Sequence, residues 1–138
     1  MNTWQTYALG SAFFAALTAI LGKLGVAEIN SNLATLIRTV VILLMTSALV
    51  TYQRQWHIAG ISARTCTFLV FSGLATGMSW LCYYRALQLG NASQVVPLDK
   101  LSVPLAVLLA VLFLGERLTL KTGFGVGLIV AGSLVLAF

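Results

Sequence analysis

An acid and a base stand side by side in a strongly hydrophobic stretch, residues 86–117, which reads ALQLGNASQVVPLDKLSVPLAVLLAVLFLGER. The pair is Asp99 and Lys100, and Pro97 and Pro104 lie close to it. Ionisable side chains inside a membrane helix are costly, so they usually face a partner, a cavity or a transport path. Because the chain has only three acidic residues, this pair is the first candidate for chemistry.

The composition excludes most soluble classes of protein. The chain has 138 residues, of which 59% are hydrophobic and 8% are charged, whereas a soluble domain carries about a quarter charged residues. The net charge of +5 comes from eight scattered Lys and Arg residues, which form no basic stripe for nucleic acid and suit loops beside lipid headgroups. One histidine and two separated cysteines give no metal-site spacing. We expect an integral membrane protein with no cofactor and no enzymatic activity.

Five apolar segments predict five transmembrane helices, so the fold class is all-α integral membrane in a single domain, residues 1–138. Each segment has about 17 to 21 residues, which suits a hydrocarbon core about 30 Å thick. Lys and Arg favour the face that holds the N terminus by only four residues to two, or to three if Arg38 snorkels to the other face, which is a weak bias in orientation. The predicted helices are residues 4–21, 33–52, 65–84, 94–114 and 122–138.

Spacing also predicts a partner for the charged pair. Arg38 lies about five residues into the second segment and Asp99 about five into the fourth, so at 1.5 Å per residue both lie roughly 7–8 Å inside the same face. We therefore expect an Arg38–Asp99 ion pair, with Lys100 competing for the carboxylate. Pro104 frees the carbonyl of Lys100 and should bend the helix, with Pro97 near its start as a second hinge candidate. The pair is either a gate or a static lock on helix register.

Two further groups of residues are candidates for a pathway and for packing. Aromatic and hydroxyl side chains on segments one and three could line a pathway or bind a cation, or they could serve packing and interfacial anchoring. In segment five, small residues recur every four positions, a pattern typical of helix or dimer contacts in lipid. The pathway candidates are Phe13, Phe14, Thr18, Ser79, Trp80 and Tyr83, and the packing candidates are Gly123, Gly127 and Ala131.

A run of motifs in order resembles the EamA-type domain of the drug/metabolite transporter superfamily. The C-terminal half carries ALQLGNASQVVPL, PLAVLLAVLFLGERLT and GFGVGLIVAGSLVL, and the N-terminal half carries ALTAILGKLGV, NSNLATLIRTVV and SGLATGMSWLCYYRAL. The usual member has two such domains in inverted orientation, and this chain resembles the half-size members with one five-helix domain. Asp99 and Lys100 depart from the general ten-helix pattern, so no mechanism is carried over to them.

The resemblance implies a transporter of small metabolites or drug-like solutes that works by alternating access. A five-helix chain would have to pair with an inverted copy, which implies an antiparallel homodimer. We expect a multi-pass protein of the cell inner (plasma) membrane. The expected partners are a second copy, membrane lipid and an unidentified small-molecule substrate, and not nucleic acid. The alternative is a non-transporting membrane subunit that supports assembly or lipid handling.

Overall fold

The computed structural model describes residues 3–57 and 60–138, and within these ranges α-helices joined by short loops are the only regular secondary structure. Two of the helices share the fourth apolar segment, so the described residues contain five candidate membrane spans. This confirms the predicted all-helical membrane architecture. The helices are α1 (Thr3–Gly25), α2 (Ser31–Tyr52), α3 (Ala63–Leu89), α4 (Ala92–Asp99), α5 (Ser102–Leu114) and α6 (Leu120–Ala137).

Helices α1 and α3 run four and five residues beyond the ends that hydropathy alone predicts. The added turns contain Lys23 in α1 and Arg85 and Gln88 in α3. These long unbranched side chains are good helix formers although they are polar, so the helix continues where the apolar segment stops. The additional turns supply most of the polar contacts described below.

Both ends of α2 are closed by local hydrogen bonds. At its start the side chain of Asn30 accepts a hydrogen bond from the backbone N–H of Asn32 at 2.8 Å, which caps the helix. At its end the N–H of Gln55 donates to the carbonyl of Val50 at 2.9 Å, and Arg54 adopts a φ of 52°. This is the C-terminal arrangement that glycine usually completes, so Arg54 adopts a backbone conformation that costs about 1 kcal/mol for a residue with a Cβ.

The fourth span is interrupted between Asp99 and Ser102, where the sequence predicted a continuous bent helix. Pro104 has no N–H to offer the carbonyl of Lys100, which instead accepts from Val103 at 3.0 Å. The N–H groups of Lys100 and Leu101 likewise bond three residues back, to Pro97 and Leu98, each at 3.0 Å. These tighter turns replace the α-helical ladder between the two prolines, so one span consists of two helices.

The chain divides into two compact units. In the first, which joins the part of α1 up to Leu21 with residues Leu89–Phe138, α6 packs along α4 and α5. The inward stripe of α6 contains half-buried Val126 and Val130 and buried Ser133 and Ala137. These positions follow a mean spacing of about 3.7 residues, close to the 3.6 residues of one α-helical turn, which keeps their side chains on one helix face.

The second unit, Gly22–Gln88, has its core where the end of α1, the start of α2 and the end of α3 meet. Val26 and Leu87 are fully buried there, and Ser31, Ala34 and Thr35 are buried on α2. The hydroxyl of Thr35 donates to the carbonyl of Ser31 at 2.9 Å, so this polar group is satisfied within its own helix. The well-packed core of this unit therefore lies at one end of its helices.

Candidate functional site

The guanidinium of Arg38 lies against two aromatic rings of α3. Its Cζ atom is 4.0 Å from the ring centroid of Trp80 and 5.3 Å from that of Tyr84. Residues four apart on a helix share a face, so α3 presents both rings to the same point on α2. A cation over an aromatic face is attracted by the ring quadrupole, most strongly by tryptophan. We call these three side chains the Arg38 cluster.

Tyr84 is held in place by the end of α1. It is 4% exposed, and a Cβ atom added to Gly22 would lie 3.1 Å from its hydroxyl oxygen and 3.3 Å from its Cζ atom. The ring of Tyr83 meets that of Tyr84 edge to face, with centroids 6.0 Å apart. The absence of a side chain at Gly22 thus leaves the space that the Tyr84 ring needs to reach Arg38.

A hydrogen-bond network ties the end of α3 to the end of α1 and the loop after it. The Lys23 ammonium donates to the carbonyl of Leu87 at 2.6 Å, where the negative end of the α3 dipole favours a cation. The side-chain amide of Gln88 donates to the carbonyls of Ile29 at 3.0 Å and Val26 at 3.3 Å. Its amide oxygen accepts from Arg85 at 2.7 Å. The network fixes the turn of α3 that follows the Arg38 cluster.

The acid and base of the fourth span lie at its interruption. Asp99 is the last residue of α4, and its Oδ2 atom is 3.5 Å from the Nζ atom of Lys100. The two side chains are 37% and 50% exposed, respectively. Asp99 belongs to the first unit and Arg38 to the second. Their ion pair, with its role as gate or lock, stays a prediction, and so does the hinge role of Pro97 and Pro104.

The pathway candidates divide between the two units. In the first unit the rings of Phe13 and Phe14 are exposed and lie 5.5 Å apart edge to face, and Thr18 is half-buried. In the second, Trp80 and Tyr83 are half-buried and Ser79 is exposed. Trp80 contacts Arg38, so two residues that the sequence assigned to separate roles lie in one cluster. A pathway along these residues stays a prediction.

The small-residue line of α6 lies largely outside the contacts within the chain. Gly123 is half-buried, but Gly127 and Ala131 are exposed. A Cβ atom at either glycine would meet no described atom within 4 Å. A four-residue repeat drifts around a helix that has 3.6 residues per turn, so the line leaves the inward stripe after its first member. Packing of these residues in a dimer stays a prediction.

Sequence reasoning missed Tyr84 and the partners of Lys23 and Gln88. A signal for Tyr84 was present, because it follows Trp80 by four residues and both are aromatic. The partners of Lys23 and Gln88 are backbone carbonyls more than 55 residues away in the chain. Every residue carries a carbonyl, so no side-chain pattern indicates which one is used.

Known proteins resemble this chain over half or more of its length. The model of the EamA-like transporter family matches residues 2–138. An uncharacterised transporter in the cobO 3′ region of a Sinorhizobium species is 57% identical over 137 residues, which cover 99% of this chain and 97% of that protein. An uncharacterised protein of Methanocaldococcus jannaschii is 38% identical over 71 residues, 51% of this chain and 52% of that protein. No solved structure matches significantly.

Proposed function

Since this chain belongs to the EamA-like transporter family and is a multi-pass membrane transporter, we propose that it moves small metabolites or drug-like solutes by alternating access as an antiparallel homodimer. We further propose that it resides in the cell inner membrane. The solute, the dimer and the mechanism are the parts of this proposal that experiments must test.

The interruption of the fourth span is the observation that carries the mechanism. Transporters often build their sites from discontinuous helices. Here the break separates α4 from α5 and coincides with Asp99 and Lys100. A charged pair at a helix break can exchange partners without unwinding a regular helix, which suits a gate.

The number of spans and the family pattern support the proposed antiparallel dimer. An odd number of spans, five in the described residues, would place the two ends of the chain on opposite faces of the membrane. An inverted second copy would then restore the inverted repeats of larger family members. The Sinorhizobium transporter matches this chain over 97% of its own length, so the two proteins are of similar size. The weak bias in Lys and Arg between the two faces would permit insertion in both orientations.

Reconstitution into liposomes tests transport directly. Uptake of a panel of amino acids, amines and sugars should reveal at least one solute whose flux exceeds that of empty liposomes, with and without a pH gradient. The absence of flux for every solute, together with a stable heterologous partner on purification, would favour the non-transporting subunit. Reporters fused after Phe138 should give signal on both sides of the membrane, and signal on one side only would reject dual insertion.

Asp99→Asn tests the gate, with Glu116→Gln as a matched loss of one carboxylate in the exposed turn after α5. If Asp99 gates access, the asparagine variant should fold and dimerise normally but lose most of its flux. If the pair only fixes helix register, flux and stability should fall together. Glu116→Gln should leave both unchanged.

A further inference from the structure

The Arg38 cluster leaves the hydrogen-bonding edge of a charged group unused. Arg38 lies seven residues after the start of α2, about 10 Å along the helix. Aromatic rings contact the guanidinium, but within the described part of residues 22–88 no oxygen accepts a hydrogen bond from it. A guanidinium has five N–H donors in its plane, and an aromatic ring is a much weaker hydrogen-bond acceptor than an oxygen atom.

Other cations near this end of the unit have acceptors. Lys23 donates to a helix-terminal carbonyl and Arg85 to a side-chain amide. The only acid between residues 22 and 88 is Glu28, which is exposed in the loop before α2. Arg38 thus lies half-buried within a candidate membrane span, with aromatic neighbours and no hydrogen-bond acceptor among the described residues of its unit.

A charge in this position is costly unless an oxygen ligand or water satisfies its donors. The planar fork of arginine fits a carboxylate through two parallel hydrogen bonds, which a lysine ammonium does not reproduce. We propose that the Arg38 cluster binds the carboxylate group of the transported solute, a small organic acid, which would take the position at Arg38 that the predicted ion pair gives to Asp99. The assignment of the site to a transported solute rests on the proposed transport function.

Three probes of matched size test the charge that the site selects: benzoate, benzamide and benzylamine. Binding to the full chain in a neutral maltoside detergent is measured by titration calorimetry and by the shift in thermal unfolding. Benzoate should bind and the neutral and cationic probes should not. Arg38→Gln should weaken benzoate binding by about tenfold to a hundredfold, the loss expected for a charge-assisted bidentate pair.

Two further variants make the test specific. Arg38→Lys retains the charge but not the fork, so its affinity should fall between those of the wild type and Arg38→Gln; this variant carries the test if Arg38→Gln fails to fold. Arg64→Gln is the matched control, because Arg64 also lies over an aromatic ring, 5.8 Å from the centroid of Phe68, but is exposed at the start of α3. It should bind benzoate as the wild type does.

Three results would overturn the proposal. One is equal binding of benzoate and benzamide, and another is unchanged benzoate binding by a folded Arg38→Gln variant. The third is that added phosphatidylglycerol stabilises the wild type but not the Arg38→Gln variant, while benzoate stabilises neither. That result would assign the cluster to a lipid headgroup. Because the binding assays do not depend on flux, a failure of this binding proposal can be told apart from a failure of the proposed transport function. Benzoate binding without flux would reject transport alone, and flux of an amine without benzoate binding would reject this site alone.

Discussion

Gln88→Leu removes the donor that joins the end of α3 to the loop after α1. The side-chain amide of Gln88 donates one hydrogen bond of 3.0 Å to Ile29 and one of 3.3 Å to Val26. Its oxygen also accepts an exposed bond from Arg85, whose loss costs little because water replaces it. A well-formed hydrogen bond contributes about 1 kcal/mol net, and the longer one about half of that. Leucine is close to glutamine in volume, so the loss should be about 1.5 kcal/mol, or roughly tenfold in the folding equilibrium constant.

Gln94→Leu is the matched control for this change. Gln94 makes one bond of the same kind, from its side-chain amide to the carbonyl of Ala137 at 3.4 Å, and its amide oxygen accepts an exposed bond of 3.4 Å from Asn91. That length is at the limit of the hydrogen-bond range, so its removal should cost about 0.5 kcal/mol or less. The two variants thus make the same chemical change, and the expected costs differ by about 1 kcal/mol.

Unfolding in mixed micelles measures both costs. The purified variants are titrated with sodium dodecyl sulfate in maltoside, and helix loss is followed by far-ultraviolet circular dichroism. The midpoint of Gln88→Leu should fall well below that of the wild type, and that of Gln94→Leu should change little. Equal midpoints for the two variants would refute the reasoning, since Gln88 would then contribute no more to the fold than one long bond does.

Two other predictions concern backbone positions. Gly22→Ala should be less stable than Gly10→Ala by about 1–3 kcal/mol. The new Cβ atom at position 22 would lie 3.1 Å from the hydroxyl oxygen of Tyr84, whereas a Cβ atom at position 10 would meet no described atom within 4 Å. Equal stability of the two variants in the same titration would contradict packing of the Tyr84 ring against α1. Arg54→Gly should raise stability by up to about 1 kcal/mol by relieving the positive φ of 52°. Arg54→Ala keeps a Cβ and should show no gain, so a gain of equal size would exclude backbone strain as the cause.

Much of the architecture could be predicted from local sequence. Each hydrophobic segment must satisfy its backbone polar groups within itself in lipid, so a long apolar run is a helix whatever lies beside it. The five spans and the disturbance around Pro104 follow from this rule and from the missing proline N–H. The ends of α1 and α3 could not be placed, because polar helix formers extend a helix beyond the apolar run.

The candidate site depended more on tertiary structure. The sequence singled out Arg38 and Trp80 but gave them different partners and roles. Their contact requires α2 and α3 to pack at one particular rotation and height, and the fit of Tyr84 against Gly22 contributes to that arrangement. Hydropathy identifies a helix but not which of its neighbours faces a given side chain.

The membrane class, the spans and the motifs of the family can be predicted from the sequence, because they depend on residues close together in the chain. The contact of the Arg38 guanidinium with aromatic rings, and the inward stripe of α6 that avoids Gly127 and Ala131, are visible only in the folded protein. These features depend on how helices rotate against one another. In lipid that rotation is set by close packing and a few polar contacts, and these join residues far apart in the sequence.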